Sequence, residues 1–159
     1  MANTFLLEIG TEELPADFVR SALQQLERRV RTDLKELRLD HGDLSVTGTP
    51  RRLLVQIRDL IDSQPDLEED RKGPPVSQAL VDGKPGPAAI GFAKRCGVDP
   101  SELETRDTPK GPCLFARVCT PGQESSVLLQ DFIPQWIDSL QGRRFMRWGS
   151  GEQRFSRPV

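Results

Sequence analysis

The chain has 159 residues, 29% of them charged, and a formal net charge of −2 at neutral pH. That length suits a domain with a real core, and no run approaches the roughly 20 apolar residues that a bilayer-crossing helix needs. The hydrophobic share, glycine not counted, is 36%.

"MANTFLLEIGTEEL" has no basic stretch ahead of its short apolar run, so it does not read as a secretory signal, and a cytoplasmic location is expected. "TFLLEIG" (4–10) reads as a buried strand ending in glycine. "TEEL" turns the chain, and Pro15 suits the first turn of a helix. Phe18, Val19, Ala22, Leu23, Leu26, Val30, Leu34 and Leu37 then recur at three- and four-residue steps, which predicts an amphipathic helix over 15–38. Glu27 and Arg31 are spaced to pair on its outer face. The basic positions Arg28, Arg29, Arg31, Lys35 and Arg38 are interspersed with acids, which favours an ordinary solvated face over an RNA-binding one.

"LSVTGTP" and "RRLLVQIRDL" read as two antiparallel strands, with Leu53, Val55 and Ile57 on one face of the second. Residues 62–87, rich in proline, glycine and charge, read as a long connection. "AAIGFAKRC" follows as a short helix stopped by Gly97, and "PCLFARVCTPG" as a strand and turn. In "ESSVLLQDFIPQWIDSL" the apolar residues keep helical spacing, and Pro134 is expected to kink or divide that helix. "RFMRW" and "QRFSRPV" read as two strands around "GSGE". The fold class expected is α+β, a mostly antiparallel sheet with about three helices, organised as a single region over 1–159.

Reactive chemistry is sparse. Cys96, Cys113 and Cys119 are odd in number and lack a paired short spacing. That argues against a disulfide framework or zinc ribbon and for small buried hydrophobes. The single histidine, His41, is far from them in sequence, and a structural metal site needs about four close ligands. Neither "KGPP" nor "GSGE" has a phosphate-loop arrangement, and Ser150 lacks the spacing of a nucleophile elbow. Glu12 and Glu13 are adjacent carboxylates. Neighbours in extended chain point opposite ways, so a turn role suits them better than paired acid–base work. No catalytic, cofactor-binding or metal-binding residue is expected in this chain.

Charge is unevenly spread. Residues 143–159 hold five arginines against Glu152, which points to an anionic partner or an acidic neighbouring surface. A solvated basic hairpin that resists edge-to-edge aggregation is the plainer reading.

Several stretches in order resemble one family: "LLEIGTEELPA" (6–16), "TPRRLLV" (49–55), "KGPP" (72–75), "AAIGFAKRCGV" (88–98), "MRWG" (146–149) and "FSRPV" (155–159). Together they are similar to the N-terminal region of the β subunit of bacterial heterotetrameric glycyl-tRNA synthetase. The resemblance implies a larger multidomain subunit of which this chain is a fragment, cut at the end of the 143–159 hairpin. It implies an α2β2 tetramer that attaches glycine to tRNA(Gly). ATP and Mg2+ would then be handled by the partner α subunit, while the β subunit recognises and positions tRNA. The resemblance does not itself assign RNA contacts within this chain. Charge pattern nominates Arg51, Arg52, Lys72, Arg143, Arg144, Arg147, Arg154 and Arg157. The alternative is a protein-interaction module that docks other synthetase domains without touching RNA. Trp148 and Phe155 are candidate base-stacking platforms, although aromatic residues in short strands more often belong to a core.

Overall fold

A computed structural model describes residues 3–159. The fold is α+β, with four helices and ten strands among those residues, and all strand pairs are antiparallel. The chain, read from its sequence as one region, forms two compact units. Unit 1 comprises Met1–Pro65 and Gln123–Val159, and unit 2 is Asp66–Gly122.

Unit 1 begins with β1 (Asn3–Gly10), α1 (Ala16–Glu36), β2 (Leu44–Thr49) and β3 (Arg52–Leu60). The three strands pair in the order β1-β3-β2. The expected burial of Leu53, Val55 and Ile57 is met in full. They form one apolar cluster with Phe18, Ala22, Leu26, Val30 and Leu34, the inner stripe of α1. β1 departs from the expectation of a buried strand: it lies at the sheet edge, only Ile9 is fully buried, and Leu6 is 60% exposed. An unbroken apolar run does not distinguish a central strand from an edge strand with one dry face.

α1 closes with Arg38 in the left-handed region (φ 54). Leu39 N–H donates back to the Leu34 carbonyl at 2.9 Å, which satisfies a terminal carbonyl otherwise without a partner. α4 (Ser125–Asp138) runs undivided through Pro134. Trp136, on that helix, is fully buried. Its indole N–H donates to Asp33 Oδ2 at 2.7 Å, and Arg29 Nε donates to the same oxygen at 2.8 Å. Asp33 is 3% exposed, so these two donors compensate a carboxylate withdrawn from water. The Glu27–Arg31 pair forms as the spacing predicts, at 2.9 Å.

The final elements are β9 (Phe145–Arg147) and β10 (Arg154–Ser156), the expected hairpin. Phe145 and Phe155 each stack edge-on against Phe18 with ring centroids 5.8 Å away, which fastens the hairpin to the start of α1. Gly142 permits this approach, since a Cβ there would lie 2.6 Å from Phe18 Cδ2.

Unit 2 contains β4 (Leu67–Pro75), α2 (Val76–Ala79), β5 (Leu80–Val81), β6 (Lys84–Pro85), α3 (Pro87–Cys96), β7 (Glu104–Thr108) and β8 (Gly111–Thr120). Much of 62–87, read as a connection, is therefore structured. β4 has no apolar alternation to reveal it. It is ordered by pairing with β8, about forty to fifty residues away in sequence, in the sheet β4-β8-β7. β5 and β6 meet at Asp82-Gly83, both at positive φ as a tight hairpin turn requires. α3 stops at Gly97 (φ 70) as expected. The cysteines split three ways: Cys113 is buried, Cys96 half-buried and Cys119 exposed. Only Cys113 fits the reading as a small core residue.

The two crossings between the units are closed by a stem within unit 1. Gln64 N–H donates to the Gln123 carbonyl at 2.9 Å, Ser125 N–H to the Asp62 carbonyl at 2.8 Å, and Ser63 bridges Glu124.

Candidate functional site

The Thr11–Leu14 turn is tied to the β2–β3 corner by the backbone. Thr11 N–H donates to the Arg51 carbonyl at 3.0 Å, and Leu14 N–H to the Pro50 carbonyl at 2.7 Å. The end of the chain joins them, with Val159 N–H on the Glu13 carbonyl at 2.9 Å. These ties create a concavity of about 600 Å3. Of the six family-like stretches, four contribute to its wall: residues 8–12 with Leu14, Arg51 with Arg52, Trp148, and Phe155 with Ser156. Sequence separation hides this convergence, which depends on the docking of the turn against the corner.

The concavity is charge-matched. Its lining holds Arg51, Arg52 and Arg154 together with Glu8, Glu12 and Asp138. Arg52 Nε sits 2.9 Å from Glu8 Oε1, and Arg51 Nη2 sits 3.5 Å from Glu13 Oε2. Glu12 lines the hollow while Glu13 turns to Arg51, so the adjacent carboxylates serve separate places. Among the described residues no three of His, Cys, Asp or Glu converge in the manner of a metal site.

The nominated cations therefore fall into distinct groups. Arg51 and Arg52, which line the concavity, are engaged by Glu13 and Glu8. Arg147 is 3.5 Å from Glu152 and stands directly across the hairpin from Arg154. Like charges opposed across strands repel. Arg143, Arg144, Arg154 and Arg157 form no ion pair among the described residues, and Arg157 is held by its N–H on the Arg144 carbonyl at 2.8 Å. Lys72 belongs to unit 2 and lines a different groove. Phe155 packs into the core as expected, whereas Trp148 is 39% exposed and borders the concavity. The buried Asp33–Trp136–Arg29 contact escaped the sequence reading. Its one signal was a charged residue beside the apolar stripe of α1.

The model of the glycyl-tRNA synthetase beta subunit matches residues 5–159. Matches of this extent define a chain from the aminoacyl-tRNA synthetase class. The chain belongs to the glycyl-tRNA synthetase β-subunit family. It is 51% identical over 157 residues to the glycine–tRNA ligase beta subunit of Synechocystis sp., and 51% over 156 residues to that of Acaryochloris marina. A more distant relative, from Magnetococcus marinus, is 42% identical. These alignments cover 98–99% of this chain and 22% of each relative's length.

Proposed function

We propose that this chain is the N-terminal, non-catalytic part of the β subunit of a cytoplasmic glycine–tRNA ligase, and that its basic hairpin helps position tRNA(Gly). In this reading ATP, Mg2+ and glycine are handled by a partner α subunit within an α2β2 tetramer. The family supports the ligase assignment. One observation supports the RNA role: Arg143, Arg144, Arg154 and Arg157 crowd a short hairpin with no ion pair among the described residues. Its aromatic side chains meanwhile fix the backbone to the core. With the hairpin backbone already fixed, only side-chain freedom is lost when these arginines meet phosphates. The paired arginines of the concavity are less suited to that task, because a phosphate must first displace an acid.

The test is tRNA(Gly) binding measured across a salt series. Replacing Arg143, Arg144, Arg154 and Arg157 with alanine is expected to weaken binding. It should also reduce the slope of log K against log salt by about 0.9 for each lost contact in a duplex region. Retention of wild-type affinity and slope would refute the RNA role. Capture of the α subunit without tRNA would favour the docking alternative. Glycine-dependent ATP–pyrophosphate exchange by the purified chain would overturn the non-catalytic assignment.

A further inference from the structure

We propose that a groove in unit 2 docks an acidic segment of a protein chain that also carries apolar side chains. The groove, about 990 Å3, lies between the end of β4 and helix α3. Arg71, Lys72 and Arg95 line it together with Pro74, Pro87 and Phe92, and among the described residues no carboxylate does. Lys72 and Arg95 form no ion pair among the described residues, and Arg71 reaches Glu69 only at 4.0 Å. Unit 2 is otherwise rich in acids, with Glu68, Glu69 and Asp70 earlier on the same strand. The separation of charge is thus local to the groove, and its complement is an anionic partner.

The two remaining family-like stretches build this place. Gly73 and Pro74 come from "KGPP", and Ala88, Gly91 and Phe92 from "AAIGFAKRCGV". The pairing register shifts between Lys72 and Pro75, so the strand departs from its ladder where the groove begins. A Cβ on Gly73 would lie 2.5 Å from Phe92 Cε1, so the backbone rests directly on that ring.

The apolar component selects among anions. A phosphodiester backbone gains little from proline and a ring only 6% exposed, which offers no face for base stacking. A peptide alternating acidic and apolar side chains uses both the cations and the exposed Pro87 and Ala88 beside them. Among the described residues β4 also ends its sheet with no strand on its second edge, which suits an added extended segment. This inference concerns unit 2 and does not depend on the tail arginines contacting RNA.

The whole 159-residue chain serves for the test. The probes are a short fluorescein-labelled peptide alternating Glu with Leu and an oligouridylate of matched length, both read by polarisation. The Lys72→Glu, Arg95→Glu double variant is expected to weaken peptide binding by about tenfold or more while leaving the circular dichroism unchanged. A second readout needs no charge variant. In a Cys119→Ser background, the peptide should slow alkylation of Cys96, which lines the groove. Unaltered peptide affinity in the double variant, or no protection of Cys96, would overturn the proposal. So would stronger protection of Cys96 by oligouridylate than by the peptide.

Discussion

The two units are held together by different means. Unit 1 has a continuous apolar cluster in which α1, β3 and α4 interlock around Leu26, Leu53 and Trp136. The corresponding cluster in unit 2 consists of Ala79, Ala89 and Leu114, with Val76 and Leu103 against it. On its sheet, Arg106 bridges Asp70 and Glu104 at 2.6 Å each and lies 5.3 Å from the centre of the Phe115 ring. Exposed ion pairs contribute about 0–1 kcal/mol each and weaken with salt, whereas a large buried side chain contributes several times that. Burial supplies most of the stability of unit 1. Unit 2 depends more on its strand ladder and surface charges, and should open first.

Trp136→Ala breaks the comparison at its strongest point. It is expected to destabilise unit 1 by about 3–5 kcal/mol, because it leaves a cavity and deprives Asp33 of a donor. Urea unfolding followed by circular dichroism measures this, and a loss under about 1 kcal/mol would show that α4 is not integral to the core. Leu114→Ala probes the other side and should cost about 2 kcal/mol, the low end for such truncations, since a thin core collapses readily. Hydrogen exchange should quicken in β7 and β8 and stay unchanged in α1. Asp33→Asn keeps an acceptor for the indole but removes the ion pair with Arg29, and should cost about 1 kcal/mol in the same urea experiment.

A smaller effect sharpens the account of unit 2. The hydrogen bond from Arg106, with added attraction from Arg106 and Arg117, holds the Asp70 carboxyl below its ordinary value of 3.8. A lowered folded-state value means stability that is present above the unfolded value and lost as pH falls through the folded one. Protection of β4 and β8 amides should therefore decline below about pH 4. Asp70→Asn should remove that acid-sensitive component, and high salt should blunt it. An identical pH profile in the variant would discount the charge bridge. Smallest of all, Arg31→Ala should cost under about 0.5 kcal/mol, because the Glu27 pair is exposed.

Where burial dominates, the sequence was most readable. The stripe from Phe18 to Leu34 and the alternation Leu53-Val55-Ile57 both report a buried face directly. The tail hairpin was legible from its strand residues around "GSGE". β4 was not: "LEEDRKGPP" has neither apolar alternation nor a free choice of donors near its prolines, and its partner lies far along the chain. The same reason hid the sites. Composition nominated Arg51, Arg52 and Arg154, but backbone bonds from Thr11, Leu14 and Val159 bring their neighbourhood together. Composition also grouped Lys72 with the tail arginines, although it belongs to another unit. The Asp33–Trp136 contact carried no pattern because its two residues are 103 positions apart.

The stem at Gln64 and Gln123 bears on modularity. Its backbone bonds bring the two crossing segments side by side before either leaves for the next module. Replacing everything from Asp66 to Gly122 with a tight turn would then ask no rearrangement of the three-stranded sheet or its helices. Such a miniaturised protein would present the concavity and the basic hairpin without the groove of unit 2.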